Sequence, residues 1–203
     1  MPAITTLFWD IGGVIATNGW DHHSRADAIA KFQLDEADFR DRHDLAFPAF
    51  DAGNTTLDEY LSRTLFYRPR PFTREEFVAF MYEQSKEYPE SRAILDRVSK
   101  SGKYFIGAIN NEPTELNEYR IKKFDLRRNF EVFFSSCYVH SRKPEDLIFR
   151  VALAVTQRDP AACVFIDDRP INLESPKRLG INTIHYQNPA QLGSELEKLG
   201  VEV

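Results

Sequence analysis

The chain has 203 residues, 42% hydrophobic and 28% charged, with a formal net charge of −5. That length supports one well-buried core with a small appended lobe, and the composition is ordinary for a soluble globular protein. The acidic balance excludes a general nucleic-acid binder, which carries a basic field, and no apolar stretch approaches the roughly 20 residues that span a bilayer.

The N-terminus lacks the basic region and long apolar core of a signal peptide, so a cytoplasmic location is expected. Cys137 and Cys163 are the only cysteines. Both stand in apolar segments and read as buried free thiols. A phosphorylated substrate remains compatible with the charge, because local cations and a metal can dominate a small site.

In chain order, a first strand is predicted over residues 4–10. It ends on Asp10 and runs into Ile11-Gly12-Gly13-Val14. Residues 16–88 show no strand pattern. Thr56 with Glu59, and Thr73 with Glu76, fit capping boxes. Phe77, Phe80 and Met81 make an apolar helical stripe suited to core packing, and Pro69, Pro71 and Gly53-Asn54 mark breaks between helices. The chain is expected to return to the sheet through a helix near 90–100.

Short apolar runs at 104–109, 132–134, 164–166 and 181–185 then fit strands buried on both faces. Pro144 suits the first position of a helix in which Ile148, Val151, Ala152 and Val155 follow helical spacing. Pro176 is expected to bend or shorten the last helix before 181. The alternation predicts an α/β fold: a doubly wound, Rossmann-like parallel sheet with helices on both faces, plus a small all-helical cap. The expected division is a core of 1–15 and 89–203 and a cap of 16–88.

Two acidic strand ends stand out: Asp10, and the pair Asp167-Asp168 after Cys163-Val164-Phe165-Ile166. Carboxylates at such ends point to a divalent metal beside a carboxylate nucleophile. Ligands of open α/β sheets bind outside the C-terminal strand ends at the switch point. A helical insertion leaving beside Asp10 would roof that crevice.

Four segments carry a resemblance: Phe8-Trp9-Asp10-Ile11-Gly12-Gly13-Val14-Ile15, Ile109-Asn110-Asn111, Ser141-Arg142-Lys143-Pro144, and Phe165-Ile166-Asp167-Asp168 with Asn172 and Gly180 beyond. In order and spacing the whole chain resembles the haloacid dehalogenase (HAD) superfamily, in particular the phosphatase-like branch with a helical cap after the first strand, including bacterial sugar-phosphate phosphatases. The resemblance implies a Mg²⁺-dependent phosphatase of a small phosphorylated metabolite. Asp10 would be the nucleophile, and the Gly12 carbonyl, Asp10, Asp167 and Asp168 would hold the metal. Lys143, Asn110 and Asn111 would bind the phosphoryl group, and Asn172 would support Asp168 or Lys143. A carboxylate attacking a phosphate dianion meets like-charge repulsion, which the metal and Lys143 would offset.

Three positions depart from the pattern. Gly12 stands where related phosphatases carry an acid/base Asp, a loss of about 10²–10⁴-fold, so slow turnover or a good leaving group is expected. Asn110 replaces a Ser or Thr. His140 replaces a Gly that would permit positive φ. Asp21, His23, Arg25 and His43 in the helical segment are candidates for the missing acid/base, and His23 and Arg25 for substrate contacts. His22 and His23 are expected to point apart, and Arg142 reads as a surface or structural residue. The alternatives are an inactive relative that binds a metabolite or protein, and a dehalogenase, which would not need the acidic pair. Oligomeric state is not legible.

Overall fold

The computed structural model describes residues 2–203. Five strands, β1 (Thr6–Trp9), β2 (Phe105–Asn110), β3 (Val132–Ser135), β4 (Cys163–Asp167) and β5 (Asn182–His185), form one sheet of order β3-β2-β1-β4-β5. All its pairings are parallel. Side chains of β1 alternate between faces. Leu7 and Trp9 enter a cluster with Ile94, Leu95, Leu192 and Leu196, while Phe8 enters a second with Ile148, Phe149 and Phe165. Helices therefore cover both faces, as parallel strands require. They are α5 (Pro89–Lys100), α6 (Thr114–Lys123), α7 (Ser136–Val139), α8 (Asp146–Thr156), α9 (Glu174–Arg178) and α10 (Pro189–Lys198).

Between β1 and β2 lie α1 (His22–Phe32), α2 (Glu36–Asp51), α3 (Leu57–Thr64) and α4 (Arg74–Glu83). Both expected capping boxes form, with Thr56 and Glu59 opening α3 and Thr73 and Glu76 opening α4. These helices share an apolar cluster built on Trp20, Phe39, Phe50, Tyr60 and Phe77, into which α6 contributes Leu116.

The insertion is fastened to the core at the end of α2. Gly53, at φ +70°, brings its backbone so close to Cys137 that a Cβ there would lie 2.3 Å from the Cys137 carbonyl oxygen. Ser136 Oγ donates to the Asp51 carbonyl at 2.6 Å, and His140 Nδ1 lies 2.8 Å from the Ala52 carbonyl. His140 does adopt the left-handed conformation, at φ 53°, and its ring joins this seam. Glu115 accepts from the Leu57 N–H at 2.8 Å.

Two expectations are corrected. Helix α8 begins at Asp146 with Glu145 as its cap, so Pro144 lies ahead of the helix. Its buried face is Ile148, Phe149 and Ala152, because Phe149 packs edge-on against Phe165, and Val155 is left 63% exposed. Pro176 sits in α9, which is only five residues long. Both cysteines are free and buried, and among the described residues no helix is long and apolar enough to cross a membrane.

Candidate active site

The chain runs from β1 outward to β3 and then crosses to β4, so the sheet's switch point lies between β1 and β4. Trp9 pairs with Ile166 in register, so Asp10 and Asp167 follow side by side at the carboxyl ends. Lys143 joins them: its Nζ lies 2.8 Å from Asp10 Oδ2 and 2.7 Å from Asp167 Oδ2, and all three side chains are buried. Burial raises the Asp10 pKa well above the usual carboxylate value, Lys143 works against this, and Asp167 and Asp168 add to it. For Lys143, burial opposes the charge, but the Asp10 and Asp167 carboxylates outweigh it and raise its pKa. The result is an ammonium held between two carboxylates.

Asp167 is saturated with donors. Besides Lys143 it accepts from the Arg169 N–H at 2.8 Å and from Asn172 Nδ2 at 3.0 and 3.1 Å. It thus holds the turn after β4 as well as Lys143. Asp168 is the opposite case. Among the described residues its Oδ1 is sealed from solvent and has no hydrogen-bond partner, and its Oδ2 has only Asn18 Nδ2 at 3.4 Å. Gly13 makes room for it, since a Cβ there would lie 2.2 Å from Asp168 Oδ2. Asp10, Asp167 and Asp168 each offer a carboxylate oxygen within 4.8 Å of the others. An orphaned carboxylate oxygen in such a set of hard oxygens fits a divalent cation.

Asn111 clamps the backbone of Lys143. Its Oδ1 accepts the Lys143 N–H at 2.8 Å and its Nδ2 donates to the Lys143 carbonyl at 2.9 Å. Asn111 also lines the cavity and keeps a second Nδ2 proton, so its amide positions Lys143 without giving up a donor for the site. Asn110 is a correction. Its side chain bonds Asn117 Oδ1 at 3.0 Å and Ser135 Oγ at 2.8 Å inside the protein, away from the cavity wall. The reason is register: Asn110 lies opposite Ser135 on β3, and the two polar groups satisfy each other.

A cavity of about 230 Å³ opens over these residues. Its core wall includes Asp10, Gly12, Asn111, Lys143 and Asn172, and its helical wall includes Trp20, Arg25, His43, Phe47 and Asp51. Of the two expected cap contacts Arg25 is there, whereas His23 is exposed and off the wall; His22 takes part in its place. The two imidazoles do not diverge as expected, since their ring centroids lie 4.0 Å apart. Arg142 pairs with Asp51 at 2.5 Å across the wall. Burial raises the Asp51 pKa and Arg142 restrains the rise. Arg40, Arg42 and Arg68 are absorbed by surface ion pairs with Glu36 and Asp38.

Sequence reasoning missed Asn18, Trp20, Asp51, Glu112 and Arg169 on the cavity wall. Glu112 is buried against Arg120, with Arg120 Nη1 2.6 Å from Oε2. Burial pushes its carboxyl up to about 7, Arg120 holds it back, and Asp51 adds to the rise. Its place directly after Asn110-Asn111 was the one available signal.

The haloacid dehalogenase-like hydrolases match residues 4–180. The chain belongs to the haloacid dehalogenase superfamily. A HAD family enzyme of Bacteroides thetaiotaomicron has the same fold, with a TM-score of 0.79 at 22% identity over 92% of this chain and 95% of that one. That enzyme has also been solved as a complex with magnesium and inorganic phosphate. A predicted HAD-like hydrolase of Porphyromonas gingivalis superposes with a TM-score of 0.77 at 19% identity over 100% of both chains. Flavin mononucleotide hydrolase 1, a chloroplast protein of Arabidopsis thaliana, is 26% identical over 80% of this HAD chain and 65% of its own length. Bifunctional epoxide hydrolase 2 of Mus musculus is 35% identical over 37% of the chain and 14% of its own length. The chain thus spans less than two thirds of these curated relatives.

Proposed function

We propose that this HAD hydrolase is a Mg²⁺-dependent phosphatase of a small phosphorylated metabolite, working through an aspartyl-phosphate on Asp10. One observation carries the reading: Asp10 shares Lys143 with Asp167 directly beside Asp168, whose Oδ1 has no partner among the described residues. In this reading Asp10, Asp168 and the Gly12 carbonyl would hold Mg²⁺, and Asp167 would serve chiefly to fix Lys143. Bound there, the cation would offset the repulsion between the carboxylate and a phosphate dianion.

Asp10 attacks phosphorus, and the ester P–O bond breaks. Lys143 stabilises charge on the phosphoryl oxygens, Asn111 keeps its backbone in place, and Asn172 orients Asp167. Water then attacks the phosphorus of the aspartyl-phosphate, the Asp10 Oδ–P bond breaks, and inorganic phosphate leaves with the Asp10 carboxylate restored. The proton given up by this water balances the one the departing oxygen takes from solvent. With glycine at 12, no side chain there protonates the departing oxygen, so the reading favours good leaving groups such as a sugar 1-phosphate or an acyl phosphate. The cavity, about 230 Å³, is smaller than the roughly 300–1,000 Å³ of drug-sized sites, which favours a small substrate. We further propose 16–88 as the cap and 1–15 with 89–203 as the core.

The test is phosphate release from a panel of phosphorylated metabolites, with flavin mononucleotide included on account of the Arabidopsis relative. Mg²⁺-dependent release, lost in Asp10→Asn, is expected. Release that survives Asp10→Asn would overturn the nucleophile. No release from any compound, together with ligand binding, would favour a non-catalytic relative.

A further inference from the structure

A chain of hydrogen bonds behind the helical wall reaches one histidine. Trp20 Nε1–H donates to Tyr60 Oη at 2.9 Å, and Tyr60 Oη lies 2.8 Å from His43 Nδ1. An indole N–H is a donor only, so the Tyr60 oxygen accepts from it, and this arrangement suits donation of the phenol proton to His43 Nδ1 at 2.8 Å. With the bond in that direction Nδ1 is unprotonated and the imidazole proton sits on Nε2. Burial, with Arg25 and Arg40 nearby, pushes the His43 pKa down to about 3, so the ring stays neutral. His43 is only 4% exposed and forms part of the cavity wall. Its Nε2 has no hydrogen-bond partner among the described residues, and Phe47 packs along the ring with centroids 4.7 Å apart.

Arg25 lines the same wall. Its Nη1 donates to the Trp20 carbonyl at 2.8 Å, and its remaining donors have no partner among the described residues. Arg142, the other guanidinium close by, is already neutralised by Asp51. The helical wall thus presents a neutral N–H and a guanidinium that acts under the charges of Asp21 and Asp44 but keeps donors no carboxylate bonds, a pairing that suits an acceptor-only group bearing one negative charge.

We propose that His43 is a specificity-determining residue: its Nε2–H, together with Arg25, binds a carboxylate on the part of the substrate remote from the transferred phosphoryl group. This rests on the phosphatase reading of the same cavity and narrows its substrates to phosphorylated acids. A wall built to hydrogen-bond such a group discriminates strongly against analogues without it, because they leave buried donors unpaired.

The experiment compares phosphorylated hydroxy acids with phosphorylated alcohols of equal length, in the native chain, His43→Phe and Tyr60→Phe. The native chain is expected to prefer the acids in kcat/KM. His43→Phe should lower the acid-to-alcohol ratio about 10- to 100-fold, mainly through KM. Tyr60→Phe, which keeps the imidazole but frees its tautomer, should give a smaller fall. An imidazole ¹H–¹⁵N spectrum of the native chain should show His43 protonated on Nε2, with that signal shifting when a non-hydrolysable phosphonocarboxylate is added. If nothing is turned over but that shift appears, the phosphatase reading fails and the recognition stands. Equal effects on acids and alcohols, an Nδ1-protonated ring, or no shift would overturn the proposal.

Discussion

Asn18 occupies the space beside Gly12: a Cβ on residue 12 would lie 3.0 Å from Asn18 Oδ1, while the amide end of Asn18 reaches Asp168. The gap left by the missing acid/base side chain is therefore partly filled. The backbone at Gly12 is open to any residue, so the obstacle to an aspartate is this neighbour. Gly12→Asp alone should place its carboxylate poorly. Gly12→Asp combined with Asn18→Ala should gain more, up to roughly 10²-fold in kcat/KM on esters with poor leaving groups. Phosphate-release kinetics decide the matter, and a double variant no faster than the single one would refute the crowding argument.

The two adjacent aspartates should separate in metal binding. Asp168 Oδ1 has no partner among the described residues, whereas Asp167 is engaged by Lys143, Asn172 and the Arg169 N–H. Mg²⁺ titration by calorimetry should show binding abolished in Asp168→Asn. In Asp167→Asn it should be weakened about 10- to 100-fold, as for a residue supporting the ligands. Equal losses would contradict this division.

His43 should shape the acid side of the stability profile. Its folded pKa of about 3 lies below the ordinary 6.5, so the unfolded chain takes up a proton first as pH falls. Its contribution to stability is therefore full above pH 6.5 and is lost as pH drops from there towards about 3. Urea midpoints measured across that window should fall less steeply for His43→Phe than for the native chain. Parallel slopes would show that the ring is not held neutral.

Gly53 should tolerate no side chain. A Cβ would meet the Cys137 carbonyl at 2.3 Å from a backbone at φ +70°. Left-handed strain and overpacking together put the cost of Gly53→Ala at about 2–5 kcal/mol, measurable by urea unfolding. A change under about 1 kcal/mol, within the range of ordinary surface substitutions, would mean the seam yields easily.

What the sequence discloses here is local chemistry. Thr56 and Thr73 signal their helices because a capping box is complete within four residues. The pairing of Asp10 with Asp167 follows from one topological rule. Asn110 misleads because its partner Ser135 is 25 residues away, opposite it only once β2 and β3 are in register. Trp20, Tyr60 and His43 come from a loop and two helices, and no periodicity announces that they meet. Glu112 and Asp51 sense each other only after α2 docks on the core.

Along α2, His43, Phe47 and Asp51 stand one turn apart and look into the cavity, and the next two residues, Ala52 and Gly53, are fastened to the core by backbone contacts. Asp51 serves both sides, since it lines the cavity while its carbonyl accepts from Ser136, whereas His43 and Phe47 face the cavity alone. His43 or Phe47 can be exchanged without touching the anchorage, which leaves a chain of this design free to change its diet while its architecture stays put.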